Sequence, residues 1–160
     1  MWDKVIFVCS SGTARAPMAA ALLQECSLKR DIQVEARGLV VLFQEPLNQK
    51  VSAVMISNGI NMEGYMSKQL VAADVDEHTL VLVMEAKDIP KTLAIIGQER
   101  LSQVEVLTTL VGEELEIMDP YGAPLPSYGL CFESLSKTIK KLAAKLNEWD
   151  DSDGSAHVPC

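Results

Sequence analysis

The sequence predicts a single α/β domain, an open parallel sheet with helices on both faces. Short apolar runs rich in β-branched residues alternate with stretches of helical periodicity along the chain, the pattern of strands joined by crossover helices. At 160 residues the chain suits one domain with a proper core, and 48% hydrophobic against 22% charged residues places it among ordinary globular proteins. No internal repeat or linker divides it.

Lys4 to Val8 reads as a buried strand, a β-branched and aromatic run ended by small polar residues. Pro17 marks the first turn of a helix, because its fixed φ suits that place and its missing N–H would have no partner there. Met18 to Leu28 continues it as an amphipathic helix, with Met18, Leu22 and Cys26 at four-residue spacing. Gln33 to Val41 is the second strand. Pro46 to Asn58 carries Leu47, Val51, Val54 and Met55 at helical spacing and stops at Gly59. The polar stretch Asp74 to Thr79, which holds His78, is a solvated connection. Leu80 to Met84 is a buried strand, Ile89 to Ile96 a helix and Val104 to Leu110 a further strand. Tyr128 to Trp149 is a long terminal helix, with Leu135, Ile139, Leu142 and Leu146 on one face and Lys137, Lys140, Lys141 and Lys145 on its solvated remainder. The domain is expected over residues 1–149, with 150–160 a polar, frayed tail. In such a sheet the ligand sits at the carboxyl ends of the strands, and Cys9 stands at one of those ends.

The segment around Cys9 carries the chemistry. Arg15 follows it after the five loop residues Ser10, Ser11, Gly12, Thr13 and Ala14. A small-residue loop between a strand and a proline-initiated helix can turn its backbone N–H groups inward. Together with the positive end of the helix dipole and the Arg15 guanidinium, they would converge on one tetrahedral oxyanion. The same field favours a thiolate, so Cys9 is a nucleophile at the mouth of an anion site. Gly12 fits because an inward-aimed loop needs a residue that tolerates positive φ. The competing readings are a small buried hydrophobe for Cys9 and a plain turn glycine for Gly12.

Charge narrows the partners. A net charge of −8 without a basic stripe argues against nucleic acid, so the anion site is a local device in an acidic protein. Met1 to Cys9 has no long apolar core for a signal peptide, and no apolar stretch reaches membrane-spanning length, so a cytoplasmic protein without a membrane partner is expected. Cys9, Cys26, Cys131 and Cys160 show neither close pairing nor metal-ligand spacing, and His78 and His157 are scattered. No metal and no other cofactor is expected.

The segment resembles the low-molecular-weight protein tyrosine phosphatase family, whose loop reads Cys, five residues, Arg, Ser, Pro. The resemblance runs from Lys4 to about Trp149 and implies a later Asp-Pro-aromatic motif, which Asp119-Pro120-Tyr121 supplies. It implies Cys9 as nucleophile, Arg15 as phosphate clamp and Asp119 as general acid. It places the loop residues 10–14 around the phosphate and Tyr121 on a wall of the substrate cleft. Phe43 falls where the family has a specificity residue, with core packing as the competing reading. Asp119 also follows from chemistry, since the leaving oxygen or nitrogen of a phosphorylated side chain needs a proton. Pro120 disfavours the α region for Asp119 and so holds its carboxylate on a short extended loop. The implied partner is a phosphorylated protein, phosphate or another oxyanion occupying the loop.

Several positions depart from that family. Gly12 replaces its asparagine, Ala14 often a second cysteine, and Ala16 the serine that donates a hydrogen bond to the thiolate. Losing that bond should raise the thiol pKa, unless Ser10, Ser11 or Thr13 compensates. Tyr65-Met66-Ser67-Lys68-Gln69 looks like the family segment that begins with histidine and ends with glutamine. Tyr65 thus replaces a histidine networked to the missing asparagine, which suggests a rewired support for the loop. Thr13 stands where tyrosine phosphatases carry an apolar residue and a bacterial phosphoarginine subgroup carries threonine. It tilts the expected activity from phosphotyrosine toward phosphoarginine. The alternatives are an arsenate reductase-like thiol enzyme, which needs a pair of relay cysteines, and a catalytically weakened anion-binding module.

Overall fold

A computed structural model describes residues 2–150. Four strands, β1 (Lys4–Cys9), β2 (Gln33–Gly38), β3 (Thr79–Val83) and β4 (Val104–Val106), pair in parallel in the order β2-β1-β3-β4. The chain steps from β1 to one side and then crosses back to the other. The carboxyl ends of β1 and β3 therefore flank the crevice where the winding reverses. Cys9 pairs with Gly38, and Val8 with Val83, at that end.

Alternation along β1 builds two cores. Val5, Phe7 and Cys9 face the layer of α1 (Arg15–Gln24), α2 (Gln49–Ser57) and α5 (Leu125–Asp150), while Ile6 and Val8 face Leu93 and Ile96 of α3 (Ile89–Ile96). Helices thus cover both faces, as the alternating pattern predicts.

The differences from expectation have local causes. α1 spans Arg15–Gln24 rather than continuing to Leu28, because the Asn147 side chain of α5 accepts from Lys29 N at 2.7 Å and donates to Ser27 O at 3.1 Å, drawing that segment out of helix. Nor is it amphipathic: every residue from Arg15 to Leu23 is buried, since the helix lies between sheet and α5. β2 stops at Gly38 instead of Val41, because the next two backbone N–H groups turn to the Cys9 and Ser10 carbonyls. α2 starts after Pro46, which is held in an antiparallel bridge to Met66, and Asn48 caps it by accepting from Lys50 N and Val51 N. The expected strand Val104 to Leu110 splits. Only Val104–Val106 pairs, and α4 (Leu107–Leu110) turns Leu107 into the core on the α5 side. α5 spans Leu125–Asp150, with Pro126 in its first turn, rather than Tyr128 to Trp149. The rest of the expected tail lies outside the described residues. Among the described residues, no helix is long and apolar enough to cross a membrane.

Candidate active site

Cys9 ends β1 with its side chain buried, and the loop from Ser10 to Ala14 wraps over it before α1 begins at Arg15. Gly12 has φ +74°, and its N–H donates to Cys9 Sγ at 3.3 Å. A side chain at Gly12 would press on the backbone of Gly38, 3.0 Å away. One at Gly38 would strike Ser11 backbone at 2.7 Å, so loop and β2 approach as only two glycines allow.

The loop carbonyls are held from outside. Val40 N donates to Ser10 O at 3.1 Å, Asn48 N to Thr13 O at 3.0 Å, and the Tyr65 hydroxyl to Gly12 O at 2.6 Å. The rewired support read from Tyr65 is thus a hydrogen bond to the loop backbone itself.

Burial pushes the Cys9 thiol up, and this outweighs the backbone N–H groups of Ala16, Gly12 and Ala14 and the Arg15 charge, which all pull it down. The thiolate-favouring partners read from the sequence are present, but they do not prevail over desolvation. Ser11 and Thr13 hydrogen-bond to each other through their hydroxyls, 2.8 Å apart, and the hydrogen bonds that act on the Cys9 sulfur come from the backbone of Ala16, Gly12 and Ala14.

Arg15 is buried, with 3% of its side chain exposed. Its Nη1 donates to Glu85 Oε1 at 2.7 Å and to Ile117 O at 2.8 Å, which fixes the plane of the guanidinium and leaves Nε and Nη2 to grip an anion. Burial raises the Glu85 carboxyl. The Arg15 hydrogen bond and charge, with Lys87 alongside, outweigh it and hold the group below the usual carboxylate range. Glu85 therefore stays charged and the clamp intact at neutral pH.

Asp119 reaches the same place from the other side. Its Oδ2 lies 3.7 Å from Arg15 Nη2, while Oδ1 accepts from Tyr121 N at 3.1 Å in a turn that Pro120 starts. Its side chain is 38% exposed, unlike the arginine it faces. Lys50 Nζ ties this turn to α2 through Ala123 O at 2.7 Å. Phe43 and Tyr121 are 79% and 84% exposed, which removes core packing as the reading of Phe43. The Phe43 loop is stapled by Gln69, which accepts from Val41 N and donates to Leu39 O, and by Ser67, which accepts from Glu45 N.

Cys9, Arg15 and Asp119, far apart in sequence, thus meet at the carboxyl ends of β1 and β3. Reading the sequence missed Glu85, Asn48 and Gly38. Nothing near Glu85 in the sequence pointed to it, since the adjacency of β3 to β1 is a property of the sheet. The signal for Asn48 was a capping residue before a periodic run.

The model of the low molecular weight phosphotyrosine protein phosphatase family matches residues 4–151. A protein-arginine-phosphatase of Geobacillus stearothermophilus is 29% identical over 144 residues, covering 89% of this chain and 95% of the relative. The low molecular weight protein-tyrosine-phosphatase YfkJ of Bacillus subtilis is 25% identical, covering 85% of this chain and 88% of the relative. Among solved structures, the YwlE arginine phosphatase of Geobacillus stearothermophilus superposes with a TM-score of 0.84 at 27% identity, over 96% of this chain and 99% of that one. The sulphate complex of the tyrosine phosphatase Wzb from Escherichia coli shares the fold, with a TM-score of 0.82 at 22% identity over 91% of this chain and 99% of that one.

Proposed function

The chain belongs to the low molecular weight phosphotyrosine protein phosphatase family, cysteine-based phosphatases, and from that premise we propose that Cys9, Arg15 and Asp119 hydrolyse phosphorylated side chains of proteins, with phosphoarginine preferred over phosphotyrosine. The Cys9 thiolate attacks phosphorus from within the loop, forming an S–P bond as the bond to the leaving oxygen or nitrogen breaks. Asp119 gives its proton to that leaving atom. Ionised, it then takes a proton from water, whose oxygen attacks phosphorus, releasing phosphate and restoring the Cys9 thiolate. Arg15 Nε and Nη2 and the loop N–H groups stabilise the equatorial oxygens in both steps.

The observation that carries this reading is the convergence of the three residues. Gly12 N lies on Cys9 Sγ at 3.3 Å, and Asp119 Oδ2 lies 3.7 Å from the arginine that closes the same loop. A reductase relay has less support, since burial pushes the Cys131 thiol up to about 11, which suits a packed side chain rather than an attacking one. A bare anion module would have no use for a carboxylate held against the clamp.

Preference for phosphoarginine rests on Thr13. Its hydroxyl, steadied by Ser11, offers a guanidinium leaving group a polar contact where a branched apolar side chain would offer a phenyl ring a surface. The phosphorylated partner is a cytoplasmic protein, and Phe43 and Tyr121 contact it beside the reacting phosphoryl group. The test is kcat/KM for phosphoarginine and phosphotyrosine peptides measured in parallel on the parent and Thr13→Ile. The parent favours phosphoarginine, and the variant lowers the ratio by roughly tenfold or more. A parent that favours phosphotyrosine makes Thr13 a loop residue only.

A further inference from the structure

We propose that the Tyr65 hydroxyl is a positioning group for the oxyanion site: by holding the Gly12 carbonyl outward it aims the Thr13 N–H into the cradle. The inference rests on the reading of the Cys9 loop as the phosphate site and adds to it the device that orients one donor.

In a planar trans peptide the C=O of one residue and the N–H of the next point in opposite directions. Whatever holds a loop carbonyl outward therefore turns the following N–H inward. The loop demonstrates this one residue later, where Asn48 N holds Thr13 O at 3.0 Å and the Ala14 N–H acts on Cys9. The same geometry applies to Gly12, whose carbonyl takes the Tyr65 hydroxyl at 2.6 Å.

Two features make this contact decisive. Gly12 is the loop residue with φ +74°, the residue type whose backbone has most freedom to turn, so its carbonyl needs an external hold. Further, Ser10 O and Thr13 O are held by backbone N–H groups, which no substitution other than proline removes, whereas Gly12 O is held by a side chain. The donor also persists. Burial first, and the Cys9 charge second, push the Tyr65 hydroxyl above the ordinary tyrosine range, so it keeps its proton at any working pH. Ser67 and Gln69 on the same segment hold the Phe43 loop, which fixes where Tyr65 stands.

The test measures competitive inhibition by inorganic phosphate, against an activated aryl phosphate, for the parent, Tyr65→Phe and Tyr65→Leu. Phenylalanine keeps the ring and removes the hydroxyl, and leucine removes both. The expected result is a phosphate inhibition constant raised roughly three- to tenfold in Tyr65→Phe, the range set by one hydrogen bond, with a melting temperature lowered by no more than about 4 °C and a similar rise in Tyr65→Leu. Inhibition of Tyr65→Phe equal to that of the parent, with loss only in Tyr65→Leu, assigns Tyr65 to packing and overturns the inference. A parent that phosphate does not inhibit overturns the reading of the loop on which the inference rests, a separate and distinguishable failure.

Discussion

The two halves of the site are built differently. The Cys9 loop is sunk between β2, α2 and the Tyr65 segment, and its arginine is 97% hidden, with Nη1 committed to two protein oxygens. The acid arrives on an open turn, where Met118 is 79% and Tyr121 84% exposed and the carboxylate is held by a neighbouring N–H and an ion pair too long for a hydrogen bond. The difference matches the two tasks. A phosphoryl group keeps its tetrahedral or trigonal oxygens through both steps, so its donors work best when fixed in advance. In the proposed mechanism the proton donor serves a leaving side chain first and a water molecule second, and an exposed turn leaves room for both.

Substitutions at the two halves should therefore behave differently. The largest effect belongs to the fixed half: Cys9→Ser loses turnover by several orders of magnitude yet still binds phosphate, because the hydroxyl is scarcely ionised while the N–H groups and Arg15 remain. Steady-state assay and titration calorimetry with phosphate separate the two, and a variant that retains turnover removes Cys9 as nucleophile. At the open half, Asp119→Asn should lower kcat about 10²- to 10³-fold for peptides with poor leaving groups and much less for an activated aryl phosphate. Equal losses on both substrates would show that Asp119 acts only through Arg15.

The smallest effect tests the balance around sulfur. Burial pushes the Cys9 thiol up in the folded protein while backbone N–H groups and the Arg15 charge pull it down, and the pH profile of its alkylation reads that balance. Ala16→Ser adds a donor to the charged form and should move the pH profile of Cys9 alkylation by iodoacetamide to lower pH, by about one unit or less. An unmoved profile would mean that the serine hydroxyl does not reach the sulfur in this loop.

What was legible beforehand follows the same division. The cradle is local: Cys9, Gly12 and Arg15 fall within seven residues between a β-branched run and a proline. Helix α3 emerged with the bounds expected, because its apolar repeat ends against Gly97, whose φ is +110°. Val104 to Leu110 could not be resolved in the same way, since a short apolar run fits a strand or a turn of helix equally until α5 supplies a partner for Leu107. Glu85 was hidden for a deeper reason. Nothing near it in sequence announces an arginine; only the parallel pairing of β3 with β1 brings the two strand ends together. Tyr65 was legible as an anomaly but not as a donor, because its acceptor is backbone and backbone has no sequence signature.

The loop's outside supports also bear on how the molecule comes into being. The contacts that finish the cradle join residues 53, 70 and 102 positions apart: Tyr65 to Gly12, Glu85 to Arg15, and Ile117 O to Arg15. Closing such spans is slow and entropically unfavourable until the intervening elements have docked. Competence to bind an oxyanion therefore arises only when the chain has nearly completed its fold, and no nascent fragment ending before Ile117 carries the finished site. By mass action the reverse also holds: phosphate, taken up by the assembled chain and not by the unfolded one, acts as a thermal stabiliser of the whole domain.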